Sequence, residues 1–483
     1  MTTGQDRQDG PEGRDRRESK KPMTTTNVDV VIVGAGIAGL SAAYELQKRG
    51  LSFVVLERGL RAGGVIFSEQ VDEYTIDGGP DSLLTQKPEA IKLCEELGIG
   101  DRLVPTKPPR LAFIQRGGRL HPLPASSVLG IPTRLGPFIR TRLFTWAGKM
   151  RMGAELFVPP RRDDGDESIG SFMRRRFGDE AVTYLAEPLL AGIHAGDVER
   201  LSIRALFPRF VETERKHGSL LRAFRRQPRS TVSRDGVFRS LPGGLSELVA
   251  ALVRALPPSA IRLNTAATRL ALNPPRVETA GGEVIAGRAV ILAAPAYATG
   301  ELTRDVDATI SRLCGEVGYA SSGTIALAFP RSAVAHPLNG SGFVVPRVEG
   351  SGILAASWLS SKWPHRAPDG RVLMRAFVGG GRDPQALQKS DGDLVSLALS
   401  ALRPLLGISG EPLLTRVYRF ERASAQHEVG HLDRMAAIDR ALEARPGLYV
   451  TGSGFRGVGI PDCVADARAT ARKVSECLAS SAA

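Results

Sequence analysis

The feature that most constrains this chain is a strand, a glycine-rich turn and a helix in immediate succession near its start. Val28-Asp29-Val30-Val31-Ile32-Val33 is a short apolar run rich in β-branched residues, the pattern of a buried parallel strand. Gly34-Ala35-Gly36-Ile37-Ala38-Gly39 follows at once, and Leu40, Ala43, Tyr44 and Leu46 then repeat at helical spacing until Gly50. A second strand, Phe53-Val54-Val55-Leu56, ends in Glu57. Each glycine has a physical task. Gly34 makes the tight turn, Gly36 lets backbone approach a pyrophosphate, and Gly39 lets the helix pack closely on the strand. Ala35, Ile37 and Ala38 share that turn, where free N–H groups and the positive end of the helix dipole favour phosphate. Glu57 stands where a carboxylate can accept from both ribose hydroxyls. The succession predicts a dinucleotide site.

A second glycine motif follows. In Arg58-Gly59-Leu60-Arg61-Ala62-Gly63-Gly64-Val65, Arg61 can offset pyrophosphate charge and the paired glycines allow another close backbone approach. Asp77-Gly78-Gly79-Pro80-Asp81-Ser82 reads as a turn. At the far end, the strand Leu448-Tyr449-Val450 runs into Thr451-Gly452-Ser453-Gly454-Phe455-Arg456-Gly457-Val458-Gly459-Ile460-Pro461-Asp462-Cys463, and Val464 to Leu478 reads as a helix. The whole resembles the flavin amine oxidase and porphyrinogen oxidase superfamily. The resemblance implies non-covalent FAD, with Val65, Gly79, Pro80, Asp81 and Ser82 near it. Ala267, in Ile261-Arg262-Leu263-Asn264-Thr265-Ala266-Ala267, would meet the adenine through its backbone, and Val458, Gly459 and Ile460 would cover the ring. A helix N-terminus there suits negative charge on a reduced flavin.

Length and composition set the frame around this site. At 483 residues the chain is too long for one ordinary domain, and length alone suggests about three units. No stretch approaches the roughly 18 apolar residues of a membrane span. Met1–Thr26 is polar, dense in both charge signs and without an apolar core, so it reads as a disordered tail rather than a secretory signal. The four cysteines, Cys94, Cys314, Cys463 and Cys477, lie far apart. That spacing argues against a disulfide framework or a metal site and fits a reducing cytosol. The net charge of +13 collects in Arg134–Arg162 and Arg204–Arg239. The first stretch interleaves its cations with Phe138, Ile139, Trp146, Met150 and Phe157. Two readings stand: an amphipathic segment on anionic lipid, or an ordinary helical unit with a solvated basic face. Nucleic acid is not expected, because no reader motif accompanies the charge.

The middle of the chain narrows the resemblance. Glu187-Pro188-Leu189-Leu190-Ala191-Gly192-Ile193-His194-Ala195-Gly196-Asp197, Leu201-Ser202-Ile203-Arg204 and Leu120-His121-Pro122-Leu123-Pro124 are similar to segments of protoporphyrinogen and coproporphyrinogen oxidases. The resemblance implies six-electron oxidation of a porphyrinogen in three two-electron rounds, hydride passing to the flavin and oxygen leaving as hydrogen peroxide. Protoporphyrinogen IX is the expected substrate and coproporphyrinogen III the alternative. Arg110 falls at the carboxylate-pairing position. Asp81 stands where many relatives carry an amide, which puts direct contact with an anionic ligand in doubt. Gly192 lies where the backbone passes the ring, and Phe343, Val344, Ile353 and Phe377 are candidate slot walls. No catalytic side chain is expected, since the flavin supplies the chemistry. His194 could help move protons, but a structural histidine is the simpler reading. The resemblance further implies hand-off of product to a chelatase of the heme pathway, leaves room for an oligomer, and places the chain in the cytoplasm at the inner face of the membrane.

The rivals are a flavin amine oxidase and a phytoene-type desaturase. The first often carries a tryptophan in its closing loop, where this chain has Phe455 and Arg456. The second lacks the Ala191–Asp197 signature. The expected fold is α/β. A discontinuous Rossmann-like FAD-binding domain would comprise residues 27–105, 240–300 and 440–480. A mixed α+β substrate domain would comprise 106–120 and 301–439, and a helical, membrane-associating subdomain 121–239.

Overall fold

The computed structural model describes residues 25–123, 127–128, 131–132, 135–226 and 235–480. The first strand, β1 (Thr25–Val33), begins three residues before the apolar run. Thr25 and Thr26, read from sequence as tail, pair in parallel with Val284 and Ile285. Helix α1 (Ile37–Lys48) and strand β2 (Phe53–Leu56) complete the opening unit. Both ends of the chain contribute to this sheet. Its order runs from Ile261–Arg262 through β2, β1, Val284–Leu292 and Arg276–Thr279 to Ala267–Ala271, and Leu448–Val450 pairs in parallel with Val290–Leu292. The C-terminal helix, Ile460–Ser480, lies against α1. Its Val464, Ala467, Ala471, Val474 and Leu478 share one buried cluster with Leu40, Ala43 and Leu46. It starts four residues before the expected Val464, because Pro461 fits the first turn of a helix and Gly459 O accepts from Cys463 N at 2.9 Å.

The second sheet has seven strands: Leu414–Gln426, Gly318–Pro330, Arg371–Gly379, Ala355–Ser357, Gly342–Val344, Ala112–Arg116 and Arg119–Pro122, in that spatial order. Helix Asp391–Leu406 covers its back, where Leu394, Ala398 and Leu402 pack on Ile325, Leu327, Met374, Ala376 and Val378. Alternation along each strand sends the intervening residues to the front. There Thr324, Phe377, Ala355, Val344 and Ile114 are successive cross-strand partners.

Between these sheets in sequence lie short helices within residues 135–226, around Phe172, Phe177, Leu185, Leu190 and Phe210. The basic stretch 134–162 divides here. Phe138, Leu143, Phe144 and Met152 are core, and Arg151 donates to the carbonyls of Arg174, Arg175 and Arg176, closing a helix end. Ile139, Trp146, Met150 and Phe157 are exposed, Phe157 by 86%. Beneath them a buried network joins Arg175 and Arg176 to Glu155, Glu167 and Glu214. Arg204 and Arg215, in the second stretch, meet Asp164, and residues 227–234 lie outside the described residues.

Candidate functional site

The glycine turn after β1 is built as a cradle. Gly34 adopts φ +105°, and its N–H donates to Leu56 O at 2.7 Å. A side chain there would also press on Ala293 O, 2.9 Å away. At Gly39 an added methyl would collide with the Gly34 carbonyl oxygen, so that glycine lets α1 close on the turn. Gly36 differs: nothing lies within 4 Å of where its Cβ would stand. The open space sits at the start of α1, where phosphate is favoured. Gly63 N donates to Ala35 O at 2.7 Å, and a Cβ on Gly64 would sit 3.3 Å from Gly36 Cα. The two glycine motifs therefore touch. Arg61 braces the second one, donating to Ile66 O at 3.0 Å and Gly64 O at 2.8 Å and lying over the Phe67 ring.

Glu57 directly follows β2, its carboxylate fixed by two backbone donors, Ala35 N at 2.9 Å and Gly59 N at 2.8 Å. Each oxygen keeps a further lone pair for a hydroxyl. Arg58 is exposed beside it. The segment before Ala267 runs along the same edge, with Asn264 N on Gly59 O and Thr265 N on Glu57 O. Open space beside Gly36, paired glycines and a pre-set carboxylate suit a dinucleotide.

The opposite rim is the closing loop. Thr451 Oγ1 donates to Asp466 at 2.6 Å, and Lys87 pairs with Asp462 at 2.7 Å. These contacts fix Val458, Gly459 and Ile460 at the start of the last helix. Two histidines unmarked by any sequence motif hold the loop from behind. His427 Nε2 donates to Ser453 O at 2.9 Å and His431 Nε2 to Phe455 O at 2.7 Å, with the rings stacked 3.8 Å apart. Burial pushes the Cys463 thiol up to about 12, so it stays protonated near neutral pH.

The turn 77–82 joins the second glycine motif to the second sheet. A side chain on Gly79 would collide with Val65 O, so this glycine allows the turn to lie against the second glycine motif. Thr324 Oγ1 donates to Gly78 O at 2.8 Å, and Ser240 Oγ to Asp81 O at 2.8 Å. Asp81 is buried and receives Lys362 Nζ at 2.9 Å and Arg375 at 3.3 Å. Burial works against its charge, but Lys362 and Arg375 outweigh that and hold the carboxyl well below the usual carboxylate range. Asp77, fully buried, pairs with Arg366 at 2.8 Å. Lys362, Arg366 and Arg375 escaped the sequence reading. Each is an ordinary cation in its local context, and only tertiary pairing with residues some 280 positions away reveals its place.

The remaining candidates separate. Arg110 is exposed, its Nε on Thr106 O and Oγ1, both at 3.0 Å, leaving the outer guanidinium nitrogens without a partner among the described residues. Gly192 packs on Val344 and Ala355, with its Cβ direction 3.3 Å from Val344 Cγ1, so both lie on the front of the second sheet with Phe377. Phe343 and Ile353 do not join them. Each is 2% exposed in the cluster under helix 391–406; Phe343 faces that side because neighbouring strand residues point opposite ways, and Ile353 lies just before strand Ala355–Ser357. The expectation that they wall a slot is corrected: they are core. His194 ends helix Glu187–His194, and its side chain lies outside the described residues.

Comparison with known proteins bears on this geometry. Residues 37–475 match the model of the flavin containing amine oxidoreductases. The coproporphyrinogen III oxidase of Bacillus subtilis is 36% identical over 92% of this chain and 98% of its own. The chloroplastic protoporphyrinogen oxidase of Nicotiana tabacum is 28% identical over 93% of this chain and 85% of its own. A crystal structure from Exiguobacterium, assigned as a protoporphyrinogen oxidase, superposes with a TM-score of 0.84 at 33% identity, covering 94% of this chain and 99% of that one. With a cradle that fits FAD and relatives that match along nearly their whole length, the chain is an FAD-dependent oxidoreductase belonging to the protoporphyrinogen and coproporphyrinogen oxidase family of the flavin containing amine oxidoreductases.

Proposed function

We propose that this protein oxidises coproporphyrinogen III to coproporphyrin III, removing six electrons in three rounds and reducing three oxygen molecules to three of hydrogen peroxide. The carrying observation is the 36% identity to a coproporphyrinogen III oxidase, against 28% to the plant protoporphyrinogen oxidase. This moves the substrate away from the protoporphyrinogen IX expected from sequence. The flavin supplies hydride acceptance, and the chain's own residues bind and orient. Val344, Phe377 and the Gly192 backbone offer an apolar face to the macrocycle, and Arg110 offers unengaged nitrogens to a propionate. Initial rates on the two porphyrinogens, followed by porphyrin fluorescence above autoxidation, test the reading. A higher kcat/KM on protoporphyrinogen IX would restore that substrate, and no turnover of either would sink both.

Peripheral membrane binding belongs to the same reading. Among the described residues no helix is long and apolar enough to cross a membrane. Trp146 and Met150, one turn apart and 68% and 73% exposed, follow Arg140 and Arg142 in sequence and suit an anionic lipid surface. A porphyrin product leaving near that surface suits collection by a chelatase.

A further inference from the structure

Five ionisable side chains meet where the turn 77–82 touches the second sheet, and the cofactor and substrate readings leave their summed charge unused. Asp77 and Arg366 pair at 2.8 Å with both side chains fully buried. Asp81 receives both Lys362 and Arg375. Three cations thus face two carboxylates, and the cluster holds one positive charge in excess. Protonation of Asp77, which burial favours, would only increase that excess. The charge is not dissipated in solvent, because the Lys362 and Arg375 side chains are 14% and 3% exposed. The Nε atoms of Arg366 and Arg375 are buried without a hydrogen-bond partner. Uncompensated buried charge is costly, and such arrangements concentrate at functional sites.

The cluster is tied to the cofactor side. Arg375 donates to the carbonyls of Asp77 and Gly79. Gly79 in turn lies against Val65 O, directly after the glycines that touch Gly36. A short length of backbone therefore links the guanidinium to the second glycine motif, which touches the Gly36 turn. We propose that the excess charge of Asp81, Lys362 and Arg375 raises the electron affinity of the bound flavin, acting through the field rather than by binding substrate. The proposal rests on the flavin site described above, and it names positioning residues.

The test is the flavin midpoint potential of the holoprotein, measured by dye equilibration, with bound flavin quantified first by absorbance. Lys362→Gln removes a positive charge and should make the flavin harder to reduce. Asp81→Asn removes a negative one and should make it easier. Each shift should be about tenfold in the reduction equilibrium, or about 30 mV for two electrons. Lys362→Arg should keep the wild-type potential. Should Asp81→Asn fail to fold, Lys362→Met and Lys362→Arg carry the test alone, since only the first should shift. Shifts in the same direction for Lys362→Gln and Asp81→Asn, or no shift, overturn the proposal. So does a raised KM for the porphyrinogen in Lys362→Gln at unchanged potential, which would assign the charge to a substrate carboxylate. Wild-type protein without flavin would instead be a failure of the cofactor reading.

Discussion

Replacing Gly36 or Gly39 by alanine should separate cofactor binding from folding, because the two added methyls meet different things. At Gly39 the new Cβ runs into the Gly34 carbonyl oxygen. Both atoms belong to packed backbone, so α1 must move off the turn. Overpacking typically costs about 1–3 kcal/mol, and the rigid neighbour places this case near the upper end. At Gly36 the Cβ meets nothing within 4 Å, and φ −69° and ψ 177° suit alanine. Lower entropy of the unfolded chain favours the variant by about 0.4–1 kcal/mol. Gly36 is also the N-cap of α1, where alanine is poorer than glycine by a comparable amount. Apoprotein stability should therefore change by less than about 1 kcal/mol. The methyl instead occupies the pyrophosphate's space, and an overpacking cost of about 1–3 kcal/mol corresponds to a Kd for FAD about 5- to 150-fold weaker. Denaturant unfolding of flavin-free protein and fluorescence titration with FAD measure the two quantities. A Gly36→Ala protein that binds FAD as tightly as wild type would refute the placement of the phosphates.

Other consequences follow from the same structure. Glu57→Ala removes the acceptor of Ala35 N and Gly59 N and should weaken FAD about tenfold or more, read by the same titration. Arg110→Ala should raise KM for the porphyrinogen with kcat little changed; an unaltered KM removes Arg110 from the site. Trp146→Ser with Met150→Ser should reduce co-sedimentation with anionic vesicles while leaving turnover of dissolved substrate intact. Glu214 is buried, which opposes its charge, but Arg175 and then Arg176 hold its carboxyl below the usual value of 4.5. A depressed carboxyl gives its full stabilisation above about pH 4.5 and loses it as pH falls through the lower folded value. Glu214→Gln should cost about 3–5 kcal/mol near neutrality and flatten this part of the acid-unfolding curve.

The cofactor half of the site was legible because it is local. Gly34, Gly36, Gly39 and Glu57 act through backbone geometry within one strand–turn–helix–strand unit, and backbone geometry restricts residue type. The Ile460–Ser480 helix was legible except at its start, where Pro461 opens the helix instead of preceding it. The substrate half was less legible for a different reason. Val344 and Phe377 face the front of the second sheet while Phe343 faces its back and Ile353, just before a strand, packs into the same core, and apolar residues at adjacent positions carry no mark of which side is core. The pairing of Asp81 with Lys362 and Arg375, and the grip of His427 and His431 on the closing loop, arise only when distant segments meet.

The central sheet also dictates when this protein can become a flavoprotein during its own synthesis. β1 and α1 leave the ribosome first, yet Leu448–Val450 and the helix that covers α1 come from the last part of the chain. Until those residues emerge, the first apolar face has no permanent partner and the cofactor rim has only one side. Contacts of such long sequence separation slow folding and leave surface open to misassembly in the meantime. The complete cofactor rim therefore forms only once the C-terminal segment has been made. Changes far along the gene, in the closing helix, should then show themselves as poor yield of soluble protein before they show themselves as slow turnover.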